Sequence, residues 1–270
     1  MRSVVGLSIH ALQQLVNAIF VGALGAQAIA AVSMTLPIVV LLAAAGQEIG
    51  VGTASFISHH LGAREYLEAS RGASTALALT APIGIIATVA LLPNLPGIFA
   101  TLGATPTIMR VALDYAGTLL SGYTLMLLNI VSGFIVRAEG RPRFSMWAMM
   151  TAFLLNAVLD PVFIFLLDLG VRGAALATLV SPIAAIGIYI TYFTKLGGTV
   201  LVRISHISLR EDRIRQLALV GAPATMTSIL SALAVTLLYG AAAPFGDDSI
   251  DAVGIAVRIL MVGALSPGSV

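Results

Sequence analysis

Seven stretches of about twenty or more residues carry almost no charge, and nothing else in the chain limits its fold so strongly. They run roughly over 3–22, 28–58, 72–98, 108–136, 144–167, 173–194 and 214–243, and an eighth begins at 252 and reaches 266. A helix of about 20 residues crosses a hydrocarbon core of about 30 Å. Lipid offers no partner to a backbone N–H or C=O, so each stretch must be helical. Composition agrees: 59% of residues are hydrophobic and 10% charged, with a mean hydropathy of +1.02, outside the range of soluble domains. The expectation is an all-α integral membrane protein with seven complete spans and part of an eighth.

The charges give that array a direction. Arg2, Arg64, Arg71, Arg137, Arg141, Arg143, Lys195, Arg203, Arg210, Arg213 and Arg215 fall on one side of the alternating spans, and Arg110, Arg172 and Arg258 on the other. Eleven against three predicts that the first side, with the N-terminus, is cytoplasmic. Asp168, Asp247, Asp248 and Asp251 fall in the opposite, outer loops. The N-terminus lacks the basic region and Ala-x-Ala site of a removable signal and reads as a first membrane helix.

Several function classes drop out. There is no cysteine, hence no disulfide framework, cysteine-ligated zinc or thiol nucleophile. No His-Glu-x-x-His, Gly-x4-Gly-Lys-Ser/Thr or Gly-x-Ser-x-Gly occurs. His59, His60 and His206 lie at membrane boundaries and read as interfacial residues rather than metal ligands. With no ATP-binding motif in these residues, any pumping draws on an ion gradient or on a separate subunit.

A weak repeat sets the domain plan. Gly25-Ala-Gln-Ala-Ile-Ala-Ala-Val32 lines up with Gly246-Asp-Asp-Ser-Ile-Asp-Ala-Val253, and in both an apolar helix ends just before the glycine. Transporters built from two related halves show repeats of this kind. The polar stretch Lys195–Arg215 then joins two membrane units. The expected plan is a six-helix lobe over 1–200, a cytoplasmic connector over 201–213 and the start of a second lobe over 214–270. The helix at 214–243 is expected to leave the first bundle. Val270 falls inside an apolar stretch, so the chain is expected to be truncated there.

An ionisable side chain within a span costs at least about 2.5–3.5 kcal/mol on insertion scales, so each needs a partner or a task. Asp160 lies in the fifth span in Asn156-Ala-Val-Leu-Asp160-Pro161, eight residues before the outer-side Asp168. Asn156 is one turn earlier on the same face. Pro161 has no amide to give the carbonyl of Ala157, which predicts a bend and a free oxygen beside the acid. Acid, amide and carbonyl suit a proton or a sodium ion; the plainer alternative is a carboxyl that locks neighbouring helices. Glu48, in Gly46-Gln-Glu-Ile-Gly50-Val-Gly52, falls near mid-membrane and either faces a cavity or bonds between close-packed helices. Gln14 and Asn17 in the first span, Tyr115 and Asn129 in the fourth and Thr178 in the sixth could line a common interior, each equally readable as interhelical glue. Asp114, near the outer end of its helix, balances Arg110 or reaches outward.

Five strings in register resemble the MATE (multidrug and toxic compound extrusion) transporters. They are Phe20-Val-Gly-Ala-Leu-Gly25 with Ala30-Ala-Val32, Gly52-Thr-Ala-Ser-Phe-Ile-Ser-His-His-Leu-Gly62-Ala, Arg137-Ala-Glu-Gly-Arg-Pro142-Arg, Leu155-Asn-Ala-Val-Leu-Asp160-Pro and Leu169-Gly-Val-Arg-Gly-Ala-Ala-Leu-Ala-Thr178. The resemblance spans nearly the whole chain. It implies two six-helix bundles facing a central cavity, alternating access driven by inward proton or sodium flow, and export of small organic, mainly cationic, compounds across a cell (inner or plasma) membrane. It implies a first-lobe cation site of Asn156, Asp160 and Thr178, joined by Tyr115 and Asn129, with H+ or Na+ at Asp160 and no organic cofactor. Many members carry Asp where this chain has Asn17, so Asp160 stands without its usual carboxylate neighbour. Asn17, Glu48 and Gln14 are cavity or coupling candidates. The expected surroundings are the lipid bilayer and the second lobe, in a monomer with no nucleic acid.

Two other readings stay open. A lipid-linked oligosaccharide flippase of the same superfamily calls for a more cationic cavity than these acids and amides provide. A membrane-embedded enzyme or a non-transporting subunit is the other, and no cluster of His or acidic residues at one membrane face supports an enzyme. Half a cavity cannot alternate, so this length of chain is not expected to transport alone.

Overall fold

The computed structural model describes residues 16–17, 19–196, 198–208, 215, 230, 233–246, 249 and 252–257, and all regular structure among them is helical. The first helix is described over 16–17 and 19–22 (α1). Then come Ala26–Met34 (α2), Leu36–Gly62 (α3), Tyr66–Leu91 (α4), a 3-10 turn at Leu92–Asn94 and Leu95–Thr101 (α5). Pro106–Ser121 (α6), Tyr123–Ala138 (α7), Pro142–Pro161 (α8), a π turn at Val162–Leu166 and Gly170–Lys195 (α9) follow. Beyond the connector, 233–242 (α10) and 252–257 (α11) are helical.

Four of these runs are long and apolar enough to cross a membrane, or five if the bent pair α6–α7 is one span. They coincide with the stretches expected at 28–58, 72–98, 108–136, 144–167 and 173–194. The expected first and seventh spans fall only partly within the described residues, and Gln14 lies outside them. Ile85, Ile86 and Val89 on α4 and Trp147, Leu154 and Val158 on α8 are each more than half exposed. In water such faces would be a liability; on these helices they are the surface that meets lipid.

The spans are less regular than their hydropathy implies. The stretch expected to run unbroken over 108–136 is two helices meeting at 52° across Gly122. A side chain at 122 would sit 2.5 Å from one methyl of Leu179 and 2.9 Å from the other, so glycine is what lets α9 press into the bend. The Thr88 hydroxyl reaches the Leu120 carbonyl there at 2.9 Å. On the other side of the bend the Tyr123 hydroxyl donates to the Leu42 carbonyl at 2.8 Å. The stretch expected at 28–58 is likewise interrupted at Thr35, whose hydroxyl donates to the Ala31 carbonyl at 2.9 Å. The irregularity expected at Pro161 takes the form of the π turn just after it, closed by the Leu167 amide donating to the Val162 carbonyl at 2.9 Å.

Within the bundle α3 packs on α7 and α4, α8 on α9 and α7, and α6 on α2 and α9. Most of the helix expected at 214–243 to leave the bundle lies outside the described residues, and its described end touches the bundle. Val235 and Tyr239 of α10 and Val257 of α11 share a buried cluster with Ala30 and Met34 of α2, Phe99 of α5 and Ile108 of α6.

The connector is fastened to the first bundle by side chains. The amides of Leu201, Arg203 and Ser208 donate to the hydroxyls of Ser70, Ser74 and Thr75 on α4 at 3.0, 3.1 and 3.0 Å. The Val200 amide donates to the Glu139 carboxylate at 2.5 Å, and the Tyr192 hydroxyl donates to its other oxygen. Ser70 and Ser74 also donate to the carbonyls one turn back on α4, so each hydroxyl is used twice.

Ser70→Ala combined with Ser74→Ala leaves two connector amides without acceptors, a loss of about 1 kcal/mol each. Hydrogen exchange should speed up over 198–208 and stay unchanged in α8 and α9. Unchanged exchange in the connector would show that it is held by something else.

Candidate cation site

Asp160 and Asn156 are fully buried on α8, 0% and 1% exposed. They are one helical turn apart, and the Asn156 amide donates to Asp160 Oδ1 at 3.4 Å, a long bond. Asp160 Oδ2 is buried with no hydrogen-bond partner among the described residues. A carboxyl that merely locked neighbouring helices would have both oxygens bonded across the interface, because an unpaired buried acceptor costs free energy. One oxygen loosely held and the other open is an unfinished coordination. A proton on Oδ2, or a cation shared between Oδ2 and neutral oxygens, would complete it.

The neighbouring helices supply such oxygens. The half-buried Thr178 donates its hydroxyl proton to the Ala174 carbonyl at 3.0 Å, which leaves its lone pairs for another group. Tyr115, 5% exposed, shares a cluster with Val21, Ile164, Ala174 and Ala175. That cluster joins α1, α6, the π turn one helical turn beyond Asp160 and the α9 turn that precedes Thr178. The approach of α9 depends on Gly173, where a Cβ would lie 2.6 Å from the Phe163 carbonyl. Asn17 on α1 and Asn129 on α7 each have a buried Oδ1 with no hydrogen-bond partner among the described residues.

The structure therefore bonds Asn156 to Asp160 and brings Tyr115 and the turn before Thr178 to one helix junction. Asn17 and Asn129 have open oxygens but no hydrogen bond to the acid. Glu48, the other acid within a span, lies on α3 with its Oε1 buried. Gly46 and Gly50 face Leu127, Ile130 and Phe134 of α7. Glu48, two residues from each, is about 200° around the helix from them. Its helix, α3, and the helix of Asp160, α8, both pack on α7. No group of three His, Cys, Asp or Glu that could hold a metal occurs among the described residues.

A second polar cluster, where the ends of α7 and α9 meet the start of α8 beside the connector, is not apparent in the sequence. Arg137 stacks on Phe134, 4.2 Å from the ring centre, and donates to Ser145 Oγ at 3.0 Å. Ser145 in turn donates to the Gly133 carbonyl at 3.2 Å. Glu139, next to it, is pushed up by burial, opposed by the Tyr192 hydroxyl, the Val200 amide and Arg141. The string Arg137-Ala-Glu-Gly was the available signal, but it gives no hint of partners more than fifty residues away.

Comparison with known proteins supplies the family. The MatE family model matches residues 3–162. The chain is 31% identical over 257 residues to the multidrug export protein MepA of Staphylococcus aureus (strain MSSA476), covering 95% of this chain and 57% of that protein. It is 29% identical to MepA of Staphylococcus haemolyticus (strain JCSC1435), covering 98% and 60%. Among solved structures, an inward-facing multidrug resistance MATE family transporter of the MOP superfamily matches with a TM-score of 0.90 at 30% identity, over 97% of this chain and 62% of that one. A MOP superfamily transporter from Pyrococcus furiosus, described by the reverse polarity of its binding pocket, matches at 0.88 and 31%, over 98% and 59%. The chain thus spans about three fifths of the length of the relatives it matches. Its apolar helices are those of a multi-pass membrane transporter family, and with more than half of its residues under the family model, the chain belongs to the MatE family.

Proposed function

We propose that this chain is the first lobe, with the opening helices of the second, of a cation-coupled antiporter that exports small organic compounds by alternating access. The half-partnered Asp160 carboxyl, fully buried in a membrane helix, is the observation that carries the reading. A cation or proton at Oδ2 neutralises the buried charge, with Asn156 and Thr178 as neutral donors that position it. Its release leaves an uncompensated charge inside the bundle, at a cost of about 3–5 kcal/mol when a buried partner is removed. Each 1.4 kcal/mol is a tenfold shift in population. The loaded and unloaded forms therefore favour different packings of α8 against α7 and α9, as coupling requires. The coupling ion is H+ or Na+, the cargo small and mainly cationic, and the working unit a monomer in the cell membrane with its N-terminus cytoplasmic.

The decisive measurement is export by the full-length protein in vesicles, with proton and sodium gradients imposed separately. Asp160→Asn keeps the size and most hydrogen bonding, so the protein should fold while gradient-driven export falls at least about tenfold. Asp114→Asn should change export less than about twofold, because an exposed pair is worth little. Asp114 is paired with Arg172 at 2.6 Å, with side chains 37% and 62% exposed. Normal, gradient-dependent export by Asp160→Asn would make Asp160 structural. Cationic and anionic compounds should be compared, since a fold shared with a reverse-polarity pocket does not fix the sign of the cargo.

The orientation has its own test. Cysteines at Ser205 and Ser249 should label with an impermeant reagent from opposite sides, Ser249 from outside in intact cells. Equal labelling from outside would reverse the assignment of the connector to the cytoplasm.

A further inference from the structure

The two halves of the repeat meet in space. Gly25 and Gly246 are equivalent in the alignment, and both adopt a left-handed backbone, with φ of 105° and 92°, which side-chain-bearing residues rarely tolerate. Counting forward from them pairs Ser33 with Gly254 and Leu36 with Val257. These pairs lie together in the structure. A Cβ on Gly254 would overlap Ser33 Oγ, lie 2.5 Å from Ser33 Cβ and lie 3.3 Å from the Tyr239 hydroxyl. Leu36 and Val257 belong to one buried cluster with Met34 and Tyr239. Equivalent residues of two units related by a twofold touch only beside the axis, as in an isologous interface. The axis of the repeat therefore runs past Ser33 and Gly254, close to the outer loops that end at Gly25 and Gly246.

The contact is close, and it carries a penalty. Ser33 is fully buried, and its hydroxyl has no hydrogen-bond partner among the described residues. Thr35, Thr53 and Ser70, by contrast, each donate to the carbonyl one turn back. A hydroxyl stripped of water with nothing in return favours the state in which water reaches it. Tight packing that closes the interface and an unpaired hydroxyl that opposes closure make the contact reversible.

We propose that Ser33 and Gly254 form the outer gate: the cleft between the lobes is shut to the outside when α2 and α11 touch there, and open when they part. The proposal rests on the alternating-access reading above.

In the full-length protein, with any other cysteine replaced and Ser33 and Gly254 left as they are, Leu36→Cys and Val257→Cys, the next equivalent pair in the shared cluster, should be joined by a short, reducible bis-thiosulfonate cross-linker. The linked protein should lose export about tenfold or more and recover it on reduction. Two thiols that never link, though both react with maleimide after denaturation, would overturn the contact; a linked protein that exports at the unlinked rate would overturn the gate. Two single changes push the gate in opposite directions, read by labelling from outside with an impermeant maleimide. Gly254→Leu blocks closure and should speed labelling of Ser33→Cys about fivefold or more. Ser33→Ala removes the unpaired hydroxyl and should slow labelling of Val257→Cys about twofold or more. If neither rate moves, the gate is refuted. A protein that exports nothing under either gradient would refute the antiport reading alone, and the labelling rates would still decide the gate.

Discussion

A peptide group inside lipid has no solvent to turn to, and the irregular points of this bundle are places where another helix or a nearby side chain takes up the groups that irregularity frees. The break at Gly122 is flanked by the Thr88 hydroxyl on the Leu120 carbonyl and by the Tyr123 hydroxyl on the Leu42 carbonyl. The loosening after Pro161 is a π turn that keeps its own hydrogen bonds. Even the connector, once it leaves α9, spends its amides on Glu139, Ser70, Ser74 and Thr75. The bends are thus fixed features, and they set where polar side chains can sit.

Close approach is the second condition. Between helices in lipid the hydrophobic effect supplies little, and small residues let backbones pack. Gly173 admits the Phe163 carbonyl against α9, and so brings the turn beyond Asp160 next to the turn before Thr178. An alanine there would push the two helices apart at the point where the candidate cation site needs them together.

The spans and the buried acid were legible because each has a signature of cost: long apolar runs, and a carboxyl where a charge is expensive. Asn156 followed from helical spacing alone. The bend at Gly122 was not legible, since the residue that packs into it is Leu179, nearly sixty residues later, and hydropathy does not register a change of direction. Glu139 was passed over for a related reason. A carboxylate in a loop is ordinary in a sequence, and only Tyr192 and Val200 arriving from elsewhere bury it.

The candidate site and the outer contact share their supports. On α2, Val32 packs into the cluster around Tyr115, Ile164 and Ala174, while Met34 packs with Tyr239 and Val257, and Ser33 between them meets Gly254. On α6, Tyr115 and Leu119 belong to the first cluster and Ala112 and Ala116 to the second. Packed interfaces switch between discrete arrangements more readily than they deform. A shift of α2 that parts Ser33 from Gly254 must therefore also repack Val32 beside the helices that hold Asp160 and Thr178. By the same reciprocity, a cation that changes how α8 and α9 pack changes the cost of that shift, and neither event requires a contact between the acid and the gate.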